Sequence, residues 1–208
     1  MFVGMKPRVG VATYPVEMHL EGWELFFAEL ESNGASDLDE LRERVVVEVR
    51  ESLSRDTLAT HPPVAALRRL FKEAGTDPSR YRPASEALLR RLLKGDPLPR
   101  IHPLVDLNNC LSAKLAVPCC VMAEGSFEPP FVFRAGRADE SYESLRGPFK
   151  LGGKPLLLDA QGPCDAPITG SARVKVSVGT ERATLVAYLP RDVVSLDQAR
   201  GALDTLVR

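Results

Sequence analysis

Proline sets the frame of this chain. Between Pro83 and Pro118 the sequence PASEALLRRLLKGDPLPRIHPLVDLNNCLSAKLAVP is cut into segments whose backbone state is nearly forced. Proline has a fixed φ and no amide hydrogen, so it opens or breaks helices and stays out of their interiors. Pro83 therefore opens a helix with Ala84, Leu88 and Leu92 on one face and Leu89 and Leu93 beside it, and Gly95 ends it. Pro97 and Pro99 stiffen the connection that follows. Leu104 to Leu115 starts apolar and turns polar at Asn108-Asn109, which reads as a helix or as an irregular strand–helix join, and Pro118 breaks it. An amide inside an apolar stretch needs partners for both its donor and its acceptor, so Asn109 is the side chain that points most clearly to a pocket.

The flanking sequence reads as alternating elements. Val9 to Tyr14 is β-rich and short, a strand that Pro15 ends. Leu20, Trp23, Phe27 and Leu30 fall at helical spacing and predict a helix closed by Asn33-Gly34. Ser36 is placed to cap a second helix, with Asp37, Asp39 and Glu40 in its first turn and Leu38, Leu41, Val45, Val49 and Leu53 on one face. The run Val45-Val46-Val47 leaves a strand open there. A third helix starts at Pro62 or Pro63 and stops at Gly75. Phe131 to Phe133 and Leu156 to Leu158 are strand cores, the second ending at Asp159, while 147–153 and 161–170 read as loop and long turn. Val174, Val176 and Val178 alternate with polar residues and predict a strand paired in a hairpin with Thr184 to Leu189. Ser195 with Gln198 is a capping box for a closing helix.

Composition enters where it limits partners. No window approaches the ~18 apolar residues of a membrane span, and the start MFVGMKPRVG lacks a signal-peptide core. A cytoplasmic address, free thiols at Cys110, Cys119, Cys120 and Cys164, and no membrane partner are the expectations. Net charge is −1, so the chain is not a globally basic nucleic-acid binder. The charge is uneven: 12 acids against 4 bases from Glu17 to Asp56, and 9 bases against 4 acids from Arg68 to Arg100. A basic band of that size attracts phosphate backbone, although a solvated helix face is the plainer reading. No glycine-rich phosphate loop is present, the three histidines are far apart, and adjacent Cys119-Cys120 has no chelating spacing, so no metal or cofactor is expected. Asp106, Asn108, Asn109, Asp159, Thr169 and Ser171 lie at the ends of apolar segments, where short polar side chains cap backbone or face a pocket. Cys120 has no histidine placed beside it and reads as a small core residue rather than a nucleophile.

Arg100, Ile101, Val105, Asp106 and Asn109, followed by Pro118, resemble the R-x-I-x-x-x-V-D-x-x-N segment and downstream G-x-P of the B3/B4 editing module of the phenylalanyl-tRNA synthetase beta chain. Leu157 to Gly162, LLDAQG, is similar to that module's L-x-x-A-D-x-x-G strand and turn. Ser171, Arg173, Lys175 and Thr180 match the strand pair of its free-standing relatives, and Ala172, Val174 and Gly179 do not. The resemblance spans about Arg80 to Pro190. It implies a three-layer α/β (α+β) fold with a β-sandwich core of unusual topology and flanking helices. Residues 61–208 would form the B3/B4-like domain, with residues 1–60 as a strand and acidic helices packed on it.

The function so implied is that of a tRNA-associated protein hydrolysing mischarged aminoacyl-tRNA in trans. Alternatives are a non-catalytic binder of an amino-acid-like small ligand or of RNA, and a partner-binding role for the acidic N-terminal segment. The pocket the resemblance implies is Asn108, Asn109, Pro118, Cys120, Thr169 and Ser171, with Asp106 and Asp159 holding its loops and Arg90, Arg91, Lys94 and Arg100 meeting phosphate. Departures from the family are specific. Asn108 stands for a threonine, Cys120 for a histidine, and the strand Thr184–Tyr188 carries no acid. Only Pro167-Ile168-Thr169-Gly170 stands for the family's glycine-rich turn.

Overall fold

A computed structural model describes residues 7–33 and 38–208. Its centre is β3 (Trp23–Glu31), the segment whose spacing predicts a helix. Both sides of β3 are hydrogen-bonded, to β1 (Arg8–Ala12) and to β10 (Arg182–Pro190), and β10 pairs in turn with β4 (Cys119–Ala123). The resulting antiparallel sheet has the order β1-β3-β10-β4. A strand buried on both faces loses the apolar–polar alternation that marks a half-exposed one. Trp23 and Phe27 face one way and Phe26, Ala28 and Leu30 the other, all buried, and a helical period fits that run by coincidence. Gly34, Ser36 and Asp37, read as a helix stop and the next cap, lie outside the described residues.

The second sheet has the order β2-β5-β8-β9, from Val16–Met18, Phe131–Ala135, Pro155–Asp159 and Gly162–Asp165. β2 runs parallel to β5 and the other pairs are antiparallel. An aromatic seam joins the two sheets. Phe27 stacks on Phe131 at 5.4 Å, and Phe133 meets Trp23 at 5.4 Å and Tyr188 at 5.6 Å. Residues 147–153 and 161–170 are more ordered than a loop reading allows, since β7 (Gly147–Lys150) pairs with β6 (Ser141–Ser144) and β9 falls in the second stretch.

Helices form the third layer. α4 (Pro103–Leu115) and α5 (Leu196–Val207) pack on the first sheet, and α1 (Asp39–Ser52) packs on α4. α2 (Pro62–Glu73) sets Phe71 against Trp23 at 5.9 Å, and α3 (Ala84–Leu92) joins α1 and α4. The predicted stops act locally: Pro83 caps α3, Gly75 has φ +99°, and Ser195 and Gln198 complete their capping box. α4 resolves the ambiguity after Pro99 in favour of a helix, ended by Ala116 at φ 57° and then Pro118.

The predicted strand at 174–178 does not form. Ala172–Val174 is a short 3-10 turn, Val178 is fully exposed, and Ser177 and Thr180 close a turn through Ser177 N–H to Thr180 Oγ1 at 3.0 Å. A hairpin partner is unavailable because β3 and β4 occupy both edges of β10. The result is a three-layer α+β fold: two sheets forming a β-sandwich, with helices over one of them.

Candidate functional site

β4 is an edge of the first sheet and β9 an edge of the second. The chain from 166 to 174 closes the gap between these edges, its 3-10 turn touching both. At this corner sits Asp165, the last residue of β9, with no exposed surface. Tyr188 on β10 donates its hydroxyl to Asp165 Oδ2. Cys120 reaches the same place because it pairs with Val186, two residues from Tyr188, and side chains two apart on a strand share a face. Asp165 Oδ1 has no hydrogen-bond partner of good geometry, and the Cys120 thiol beside it is a weak donor.

Burial pushes the Asp165 carboxyl up to about 6, against the opposing pull of the Tyr188 hydroxyl. Burial, and then the nearby Asp165, raises Cys120 well above the ordinary thiol range. Cys120 is therefore a neutral thiol near pH 7 and a poor nucleophile. Cys119 and Cys164 are raised by the same two causes, and all four cysteines are free. Among the described residues no group of three or more His, Cys, Asp or Glu side chains is arranged to hold a metal ion.

The covering loop is tightly laid. A Cβ added at Gly170 would lie 3.0 Å from Asp165 Oδ1 and 3.2 Å from Cys120 Sγ, so glycine alone leaves this space free. Tyr142 donates its hydroxyl to the Thr169 carbonyl, and Ala84 N–H donates to the Pro167 carbonyl at 2.9 Å. Ser171 is buried, and its Oγ accepts from Arg173 N–H at 3.2 Å, which makes it the cap of the 3-10 turn.

The fold thus gathers Cys120, Thr169 and Ser171 at one corner. Asn108 and Asn109 approach it from α4, with Asn108 Nδ2 donating to the Cys119 carbonyl at 3.3 Å and to Asn109 Oδ1 at 3.4 Å. Asn108 is the more buried of the two, and its Oδ1 has no protein partner. Pro118 is buried, and its carbonyl accepts from Tyr188 N–H at 2.9 Å. Asp106 binds Arg42 Nη1 at 2.8 Å and accepts from Ile101 N–H at 2.9 Å, away from the corner. Asp159 holds Arg173 through both oxygens, at 2.9 and 3.1 Å, and takes the Glu128 and Gln161 amides at 3.0 Å. The four basic residues are scattered: Arg90 binds Glu86, Arg91 lies 3.7 Å from Asp96, Arg100 lies 3.5 Å from Asp39, and Lys94 is exposed.

Sequence reasoning missed Asp165, Tyr188 and Tyr142. One signal was available, since Asp165 is the single charged residue between Asp159 and Arg173. An isolated charge in an apolar stretch is either exposed on a loop or buried with a purpose, and only the second sheet decides which.

The chain is thus a two-sheet sandwich with helices over one sheet, and a buried acid–tyrosine–thiol corner lies where the two sheet edges meet. The B3/4 domain model matches residues 66–205, and the chain belongs to that family. Among solved structures it is similar to the crystal structure of an N-terminal fragment of the phenylalanyl-tRNA synthetase beta-subunit from Pyrococcus horikoshii, at 15% identity and a TM-score of 0.42. That match covers 52% of this chain and 41% of the fragment, less than half its length. No curated protein matches. Among the described residues no helix is long and apolar enough to cross a membrane.

Proposed function

We propose that the Asp165 corner binds the aminoacyl group of an aminoacyl-tRNA, and that the protein hydrolyses mischarged species in trans. The observation that carries this reading is Asp165 itself, buried, titrating near 6, with Oδ1 lacking a good donor. Above that pH it is an anion aimed at the loop, and an α-ammonium group or an attacking water supplies the donors it lacks. Entry requires the loop around Gly170 to move off Asp165 and Cys120. Hydrolysis is attack of water on the ester carbonyl, so the site's work is to position that water and hold the amino acid.

A second reading, binding of an amino-acid-like ligand or of RNA without hydrolysis, is favoured by the histidines. His19 meets Glu17 at 2.6 Å, His102 caps α4, and His61 opens α2, so none stands at the corner. The deciding assay is deacylation of a panel of mischarged tRNAs, with Asp165→Asn and Asn109→Ala as controls. Hydrolysis of one species, reduced at least tenfold in Asp165→Asn, is the expected result. Panel-wide inactivity would leave binding alone, to be sought by thermal shift with free amino acids.

A further inference from the structure

Away from the corner, the densest charge cluster surrounds Glu86 on α3, a carboxylate with no exposed side-chain surface. Arg68 Nη1 lies 2.9 and 3.1 Å from its two oxygens, and Arg90 reaches Oε1 through Nε and Nη2, each at 2.9 Å. Arg82 Nε stands 3.4 Å from the same oxygen without completing a hydrogen bond. Three guanidiniums thus share one carboxylate, a local excess of two positive charges. Their side chains are 25%, 38% and 40% exposed for Arg68, Arg82 and Arg90, so each keeps surface open to solvent, and Arg68 Nη2 also donates to Ser79 Oγ at 3.4 Å.

One guanidinium is enough to neutralise a buried carboxylate, and the two extra cations repel each other at this range. An anion with several acceptor oxygens turns the repulsion into attraction, and guanidinium forks match phosphate geometry. Nearby, Lys154 is buried, with its ammonium 3.9 Å from the centroid of the Tyr81 ring, and the Arg80 guanidinium lies 5.3 Å from the same centroid, so the flanking field is also positive. The acid of this turn, Asp77, is engaged by Ser79 N–H at 2.9 Å.

We propose that Arg68, Arg82 and Arg90, gathered on buried Glu86, form a phosphate-binding cradle. The source of the phosphate, RNA backbone, rests on the tRNA reading above; the cradle itself does not. α3 is tied to the corner loop through Ala84 N–H and the Pro167 carbonyl, so a backbone phosphate held here leads a 3′ end toward Asp165.

The test compares the melting temperature of the full chain in inorganic phosphate and in chloride at equal ionic strength, for the wild type, Arg82→Gln and Arg90→Gln. These two arginines are the more exposed members, so each variant provides a folded control for the other. Phosphate is expected to raise the wild-type value above that in chloride, and both variants to lose most of the difference. An equal response in all three proteins, or none in the wild type, overturns the cradle. A second arm titrates uncharged tRNA at several salt concentrations. Losing one phosphate contact should weaken binding about five- to tenfold and reduce the logarithmic salt slope by roughly one. Phosphate stabilisation with no tRNA binding by the wild type supports the cradle as a site for free phosphate and removes the tRNA reading alone.

Discussion

Asp165 titrates near 6 in the folded chain and near 3.8 when exposed, and the gap has a direct consequence for stability. Between those values the folded state keeps a proton that the unfolded state has released. The group's contribution is therefore fully present below about pH 4 and is lost as pH rises through 6, by up to about 3 kcal/mol. Asn at this position keeps an oxygen for Tyr188 and does not titrate. The stability of Asp165→Asn relative to wild type should thus rise between pH 4 and 7, as read by urea unfolding at each pH; a constant difference would contradict it. Glu140, held down to about 2 mainly by its hydrogen bond to Arg134, acts in the opposite direction at lower pH and cancels in the comparison. Cys120 was legible as a small side chain packed against the core, where it is half-buried, but its neighbour was not. Nothing local joins Asp165 to Tyr188, which stand 23 positions apart.

Among the elements, α1 and α4 are clasped by one buried pair. Arg42 and Asp106 are 9% and 3% exposed, and Asp106 also accepts the backbone amide of Ile101 ahead of α4. Asp106→Ala removes one of the two carboxylates that hold the buried Arg42 guanidinium and leaves the Ile101 amide without its acceptor. The expected loss is about 3 kcal/mol, measured by chemical denaturation. A loss below about 1 kcal/mol would mean that Asp39, which also pairs with Arg42, satisfies it alone. α2, α3 and α5 were legible because their punctuation is local: Pro62, Pro83, Gly75, Gly95 and the Ser195–Gln198 box. β3 was not, because a strand covered on both faces carries no alternation to read. Val174 to Val178 failed for the opposite reason, since the alternation is present but β10 has no free edge to receive it.

For the whole molecule, β3 carries the main consequence. The B3/4 match begins at residue 66, yet β1 and β3 complete the same sheet as β10 and β4. Trp23, Phe27 and Leu30, all buried in the shared core, lie before the match. A truncated chain starting at residue 61 should therefore fail to fold, giving no dispersed amide spectrum and no cooperative melting. A folded truncation would show that residues 61–208 are a self-sufficient domain.

The sequence by itself determined where α2, α3 and α5 start and stop, which residues are apolar enough for a core, and the resemblance around Arg100 to Pro118. Those are properties of short stretches, set by backbone restriction at Pro and Gly and by side-chain period. Only the tertiary structure decided that Trp23–Glu31 is a central strand and that Asp165 is buried against Tyr188 and Cys120. It also decided that three arginines share Glu86. Each of these depends on a partner distant in the chain, and burial, which sets both strand identity and the titration of Asp165, exists only once that partner is in place.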